Sequence, residues 1–168
     1  MELSLSFKST SDDEYRISLS KIDYRLLSDE LRNILNGQIE IIEIVLDRVK
    51  GSNVTSMKML SEISNTIKRL FLENEHIILY YYCDDLHGLD YVRDHREMSP
   101  QKYRSELFSA MFQRAVNKSN KSEINDETIC IDAVGWDIYL HLIYRCKHKH
   151  YVDLIKEDIE LGYGKNNP

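Results

Sequence analysis

The chain is predicted to fold as a single α/β (α+β) domain with a mixed central sheet, in the order β-β-α-β-α-β-α-β-β-α. Three observations carry that expectation. A length of 168 residues is close to the commonest size of one domain and is enough to bury a real core. Two strands, "QIEIIEIVLD" (38–47) and "HIILYYYC" (76–83), are apolar on both parities, as a strand covered on both faces requires. The segment between them has a helical period, and two buried strands joined by a helix favour parallel pairing.

The elements follow in order. Leu3, Leu5 and Phe7 alternate with polar residues, as do Tyr15, Ile17 and Leu19, with polar residues 9–14 between them. This is an antiparallel hairpin with one wet face. Ser28 can cap a short helix with Leu27, Leu31, Ile34 and Leu35 on one side, and Asn36-Gly37 supplies a left-handed stop. After the first buried strand, Leu60, Ile63, Ile67, Leu70 and Phe71 form one helical stripe. Residues 84–98 are polar and aperiodic, which predicts an exposed loop.

Ser99-Pro100 starts a helix, with a serine cap and proline at the first helical position. Tyr103, Leu107, Met111 and Ala115 are expected on its inward side. The solvated stretch "NKSNKSEIND" leads to strands 128–134 and 138–146, joined around Gly135-Trp136 as a hairpin. A closing helix over 150–161 rests on Val152, Ile155 and Ile159, and 162–168 form a flexible tail. The domain is therefore placed at 1–161.

Composition limits the function classes. The net charge is −6, from 28 acidic and 22 basic residues. Nucleic acid and anionic membranes need a dominant positive field, so neither is expected as a partner. No apolar leader follows Met1 and no window reaches the length of a membrane span, so a cytoplasmic location is expected. Cys83, Cys130 and Cys146 are odd in number, far apart and set in strand-like apolar stretches. They read as buried thiols rather than as a disulfide framework or a metal site.

The loop after the first buried strand, Arg48-Val49-Lys50-Gly51-Ser52-Asn53, has two readings: a backbone cradle for a phosphate, or a polar turn capped by Ser52, Asn53 or Thr55. With the strand, helix and second strand around it, it resembles the cofactor-binding half of the GNAT-type acyltransferases, whose loop reads [Arg/Gln]-x-x-Gly-x-[Gly/Ala]. Arg48 and Gly51 match that pattern; Asn53 stands where glycine or alanine is expected. The resemblance spans roughly 38–146 in topology.

It implies an acetyl-CoA or coenzyme A site in which Arg48, Gly51, Ser52 and Asn53 bind pyrophosphate at a helix start. It further implies a base for an amine substrate at Glu40 or Glu43, which alternating parity puts on opposite faces, and an acid on the helix carrying "YRSELFSAMF". The family's tyrosine aligns with Phe108, so Tyr103, one turn earlier, is the acid candidate in a shifted register. "ILYYYCDD" followed by "YRSELFSAMF" is also similar to a group of small bacterial proteins of unknown function.

Other constellations are weaker. Asp84, Asp85, His87, Asp90, Asp94 and His95 gather beyond the second buried strand, where α/β folds place sites, but match no ligand spacing. They read as a loop that could order over a ligand. Cys146, His148 and His150 would share one face of an extended strand, in geometry suited to zinc, or would simply end a basic strand. Tyr80, Tyr81 and Tyr82 alternate across the sheet, and Arg93, Arg96 and Arg104 are candidate anion contacts. No Ser-His-Asp motif, Walker loop or dinucleotide G-x-G-x-x-G fingerprint is present. Two function classes follow: a non-catalytic interaction or ligand-binding module, contacting another protein or a second copy of itself, and an acyl-CoA-dependent N-acyltransferase acting on an amine.

Overall fold

Two aliphatic strands and the helix between them organise the molecule. The computed structural model describes residues 2–53, 55–83, 98–117, 123–133 and 136–165. Strands β1 (Leu3–Lys8) and β2 (Glu14–Lys21) precede helix α1 (Asp29–Leu35), strand β3 (Glu40–Lys50), helix α2 (Met57–Glu73) and strand β4 (Ile77–Cys83). Helix α3 (Pro100–Asn117), strands β5 (Ile124–Ala133) and β6 (Trp136–Arg145), and helix α4 (Lys149–Lys165) complete the order. The six strands form one mixed sheet, β1-β2-β3-β4-β6-β5.

β3 and β4 run parallel, from Glu40 opposite Ile77 to Ile44 opposite Tyr81; every other pair is antiparallel. Their parities sort the core into two layers. Ile42, Ile44, Leu46 and Leu79 pack with Met59, Leu60, Ile63, Ile67 and Phe71 of α2. Ile39, Ile41 and Ile78 pack with Leu31 and Leu35 of α1 and with Val152 and Ile155 of α4. Burying each such side chain contributes about 1.5–3 kcal/mol, so the aliphatic run and the α2 stripe dominate the assembly.

Local signals set several boundaries. The Ser28 hydroxyl accepts from Leu31 N–H and starts α1; Gly37, at φ +71°, supplies its left-handed stop. Ser99 Oγ accepts from Lys102 N–H and starts α3. Arg145 closes the far end of α2: its Nη1 donates to the Asn74 carbonyl at 3.0 Å and its Nη2 to the Phe71 carbonyl at 2.7 Å, with the guanidinium 4.3 Å above the Phe71 ring. The Phe71 carbonyl, which also accepts from Asn74 N–H at 3.3 Å, and the Asn74 carbonyl thus gain a cationic donor at the helix end.

Several boundaries differ from expectation. β3 continues through Lys50, because Tyr15 pairs with Arg48 and Glu14 with Lys50 beyond a register shift. Arg48 is therefore a strand residue, and the loop is shorter than its sequence suggests. The cap of α2 is Ser56, which accepts from Met59 N–H, not Ser52, Asn53 or Thr55.

β5 begins at Ile124, four residues early, where it pairs with Arg145. Its hairpin with β6 closes on Ala133 opposite Trp136. α4 extends to Lys165, four residues beyond the expected end. Cys83 is buried, but Cys130 lies on the outermost strand and Cys146 in a 3-10 turn (Cys146–His148), and both are exposed. That turn, with His150 inside α4, also removes the shared strand face expected of Cys146, His148 and His150. Among the described residues no helix is long and apolar enough to cross a membrane.

Candidate functional site

The loop after β3 is closed from within the molecule. Gly51 adopts φ +98°, and Asn53 turns its backbone N–H toward the β1–β2 turn. There Asp13, 1% exposed, receives it: Asn53 N donates to Asp13 Oδ1 at 3.1 Å and Asn53 Nδ2 to Asp13 Oδ2 at 2.9 Å. Ser11 Oγ donates a further hydrogen bond to the carboxylate, at Oδ2, 3.0 Å away. Arg48 reaches the same cluster, with Nη1 3.9 Å from Asp13 Oδ1 and Nη2 donating to Thr55 Oγ1 at 2.8 Å and Tyr15 Oη at 3.1 Å.

The Asn53 side-chain amide, against the opposing effect of burial, holds the Asp13 carboxyl below its ordinary value; the Asn53 backbone N–H, the Ser11 hydroxyl and the Arg48 charge add to it. Any side chain at Gly51 would meet this carboxylate, since a Cβ built there lies 1.9 Å from Asp13 Oδ1. The position a pyrophosphate oxygen would take on Asn53 N–H is thus held by an anion of the protein itself. The residues present do not fit coenzyme A in this conformation. Ser52 is exposed and completes the loop.

The remaining site candidates do not converge on this loop. Glu40 opens β3, eight residues from Arg48 or about 26 Å along an extended strand. It pairs with Lys21 at 2.6 Å, on the wall of a cleft of about 730 Å³ that also includes Arg32, Glu75 and His76. Glu43 shares its parity with Ile39 and Ile41, which face α1 and α4, the side of the sheet away from α2; burial pushes its carboxyl up. Tyr103 is half-buried on α3, and Phe108 stacks on Tyr81 with ring centroids 4.2 Å apart. Arg104 is half-buried on α3. Asp84, Asp85, His87, Asp90, Asp94 and His95, with Arg93 and Arg96, lie outside the described residues.

A second constellation corrects the expectation that the chain has no Ser-His-Asp set: the fold assembles one from three separate elements. Ser105 of α3, His141 of β6 and Asp126 of β5 meet on the α2–α3 face of the sheet, His141 being 0% and Ser105 5% exposed. Ser105 Oγ lies 2.8 Å from His141 Nε2, and Asp126 Oδ1 3.0 Å from His141 Nδ1. Ser109 Oγ donates to Asp126 Oδ2 at 3.0 Å and steadies the carboxylate. Thr128 Oγ1 lies 3.3 Å from Nδ1. A carboxylate beside Nδ1 assigns the ring proton there and leaves Nε2 to accept from the Ser105 hydroxyl.

Strand register explains the meeting. Thr128 and Tyr81 stand opposite His141 on either side, and Asp126 is two residues along from Thr128 on the same face. Helix α3 presents Ser105 and Phe108 to the core alongside the expected Leu107, Met111 and Ala115, so a serine occupies an inward position. The sequence signal was a lone histidine inside the apolar run "IYLHLIY"; Asp126 escaped notice because its segment reads as a solvated linker. No protein-family model, curated protein or solved structure matches the chain.

Proposed function

We propose that the chain is an interaction and ligand-binding module of GNAT-like topology, non-catalytic at the loop that holds the coenzyme in an acyltransferase. The observation that carries this reading is the Asp13 carboxylate on Asn53 N–H, directly in front of Gly51. A second anion there would meet like charge, and the net charge of −6 adds long-range repulsion for a coenzyme's phosphates. Val49 and Met57 flank the loop with exposures of 55% and 59%, an apolar pair suited to contact with another protein or a second copy of this chain.

Thermal-shift titration with coenzyme A and acetyl-coenzyme A to millimolar concentration tests the reading. No rise in melting temperature is expected. A rise that grows with the logarithm of ligand concentration, and is lost in Gly51→Trp, overturns it. Light scattering assigns the partner class: a dimer mass indicates self-association, a monomer mass a different protein.

One observation favours the acyl-CoA-dependent N-acyltransferase as a second reading. The β3–β4 ladder ends at Ile44 and Tyr81 although both strands continue, β3 bonded to β2 and β4 to β6. Strands that part in this way leave a gap at their carboxyl ends, where α/β sheets receive ligands. On this reading Asp13 has to swing away before Arg48, Gly51, Ser52 and Asn53 can hold pyrophosphate. Glu40 or Glu43 would be the base and Tyr103 the acid. The same titration decides between the two.

A further inference from the structure

A serine, an imidazole and a carboxylate in series move a proton in one direction when the carboxylate fixes the tautomer. Ser105, His141 and Asp126 have that order and spacing, at 2.8 Å and 3.0 Å. Packing does not ask for them: His141 sits between Leu140 and Leu142 on a strand whose other inward residues are aliphatic or aromatic. Replacing a buried polar or ionic group by apolar side chains of the same volume is often neutral or stabilising.

The relay also adjoins the end of the parallel ladder. Tyr81, the last rung of the parallel β3–β4 ladder, is the β4 partner of His141, so the histidine adjoins the point at which the two strands part. Tyr81 and Phe108 stack on each other, and the Phe108 ring centroid is 4.9 Å from that of His141. The same two rings, with Ile44, Leu79 and Met111, line an apolar cavity of about 50 Å³ beneath α2 and α3. That volume is a few times what one water needs, enough for a short hydrocarbon tail.

We propose that Ser105 is a nucleophile for acyl transfer, with His141 as its base and Asp126 as the group that orients the imidazole. The substrate class is an ester or thioester of a short apolar acid, its acyl chain lying against Tyr81 and Phe108. The Ser105 oxygen bonds to the carbonyl carbon while its proton passes to His141 Nε2. The bond from that carbon to the leaving oxygen or sulfur breaks, and the leaving atom takes the proton. Water then adds to the acyl carbon and gives a proton to His141, which returns it to the Ser105 oxygen as the acid departs. No electron changes hands, and Asp126 stays ionised throughout. This activity goes beyond the reading of the coenzyme loop and does not rest on it; a titration with coenzyme A leaves it untouched.

Covalent capture tests it. The whole chain is incubated with an alkyl fluorophosphonate, its intact mass followed, and the adduct mapped by peptide sequencing; p-nitrophenyl butyrate gives a parallel hydrolysis rate. One adduct on Ser105 is expected, absent from Ser105→Ala. The labelling rate should fall at least a hundredfold in His141→Gln. Asp126→Asn, close to isosteric, carries the same prediction at ten- to a thousandfold and replaces the histidine variant should that one fail to fold. Absence of an adduct on Ser105, in a tube where an added serine hydrolase is fully labelled, overturns the proposal. So does an adduct whose rate the Asp126 and His141 changes leave unaltered.

Discussion

Replacing Gly51 with alanine tests the closed loop most directly. At φ +98° an L-residue costs about 1–2 kcal/mol in backbone strain. The added Cβ would also lie 1.9 Å from Asp13 Oδ1, 2.5 Å from its Cγ and 2.9 Å from its Cα. Rotation of the Asp13 side chain can relieve the first two contacts but not the third, so the β1–β2 turn itself has to shift. Overpacking of this kind costs about 1–3 kcal/mol.

Together the effects predict a loss of about 2–5 kcal/mol, which for a chain of this length lowers Tm by on the order of 10 °C. Urea melts of Gly51→Ala, Asp13→Ala and the double variant measure it. Removing the Asp13 carboxylate takes away part of the clash, so the double variant should lose clearly less than the two singles added together. A loss under about 1 kcal/mol in Gly51→Ala, or strict additivity, would refute the claim that Asp13 seals this loop.

Two further outcomes follow from individual side chains. Arg145→Met leaves the Phe71 and Asn74 carbonyls at the end of α2 without their charged donor, and should cost about 1.5–3 kcal/mol by urea denaturation. Lysine there should recover little, having no planar fork to reach both carbonyls. Burial raises the Glu43 carboxyl above its ordinary value of 4.5, so its ionised form is disfavoured in the fold. Its drag on stability is absent below pH 4.5 and grows as pH rises through the raised folded value. Glu43→Gln should therefore raise Tm by about 1–3 °C at pH 7 and by nothing at pH 4; an equal gain at both would disprove the assignment.

Periodicity and local caps determined the element order, and the helix between the two buried strands predicted the parallel β3–β4 pairing that the fold shows. An aliphatic residue is paid back for burial wherever it sits, so runs such as "IEIIEIVL" specify strands without knowledge of their neighbours. The start of α3 was equally local, since Ser99-Pro100 contains its own cap. Polar residues behave differently, because their burial depends on partners that only the fold supplies.

Asp13 reads as a turn residue until Asn53, 40 positions away, covers it. Asp126 reads as linker until Arg145 pairs with Ile124 and extends β5 past it. Ser105 and His141 are 36 positions apart, and no spacing rule connects them. The sequence by itself located the aliphatic strands and the α2 stripe that form the core, although Ile34, Cys130 and Cys146, also expected inside, are exposed. Which charges close the loop, and which hydroxyl meets an imidazole, were decided by strand register and by the rotation of α3, because a hydrogen bond needs its two atoms within about 3 Å and tolerates no substitute for that geometry.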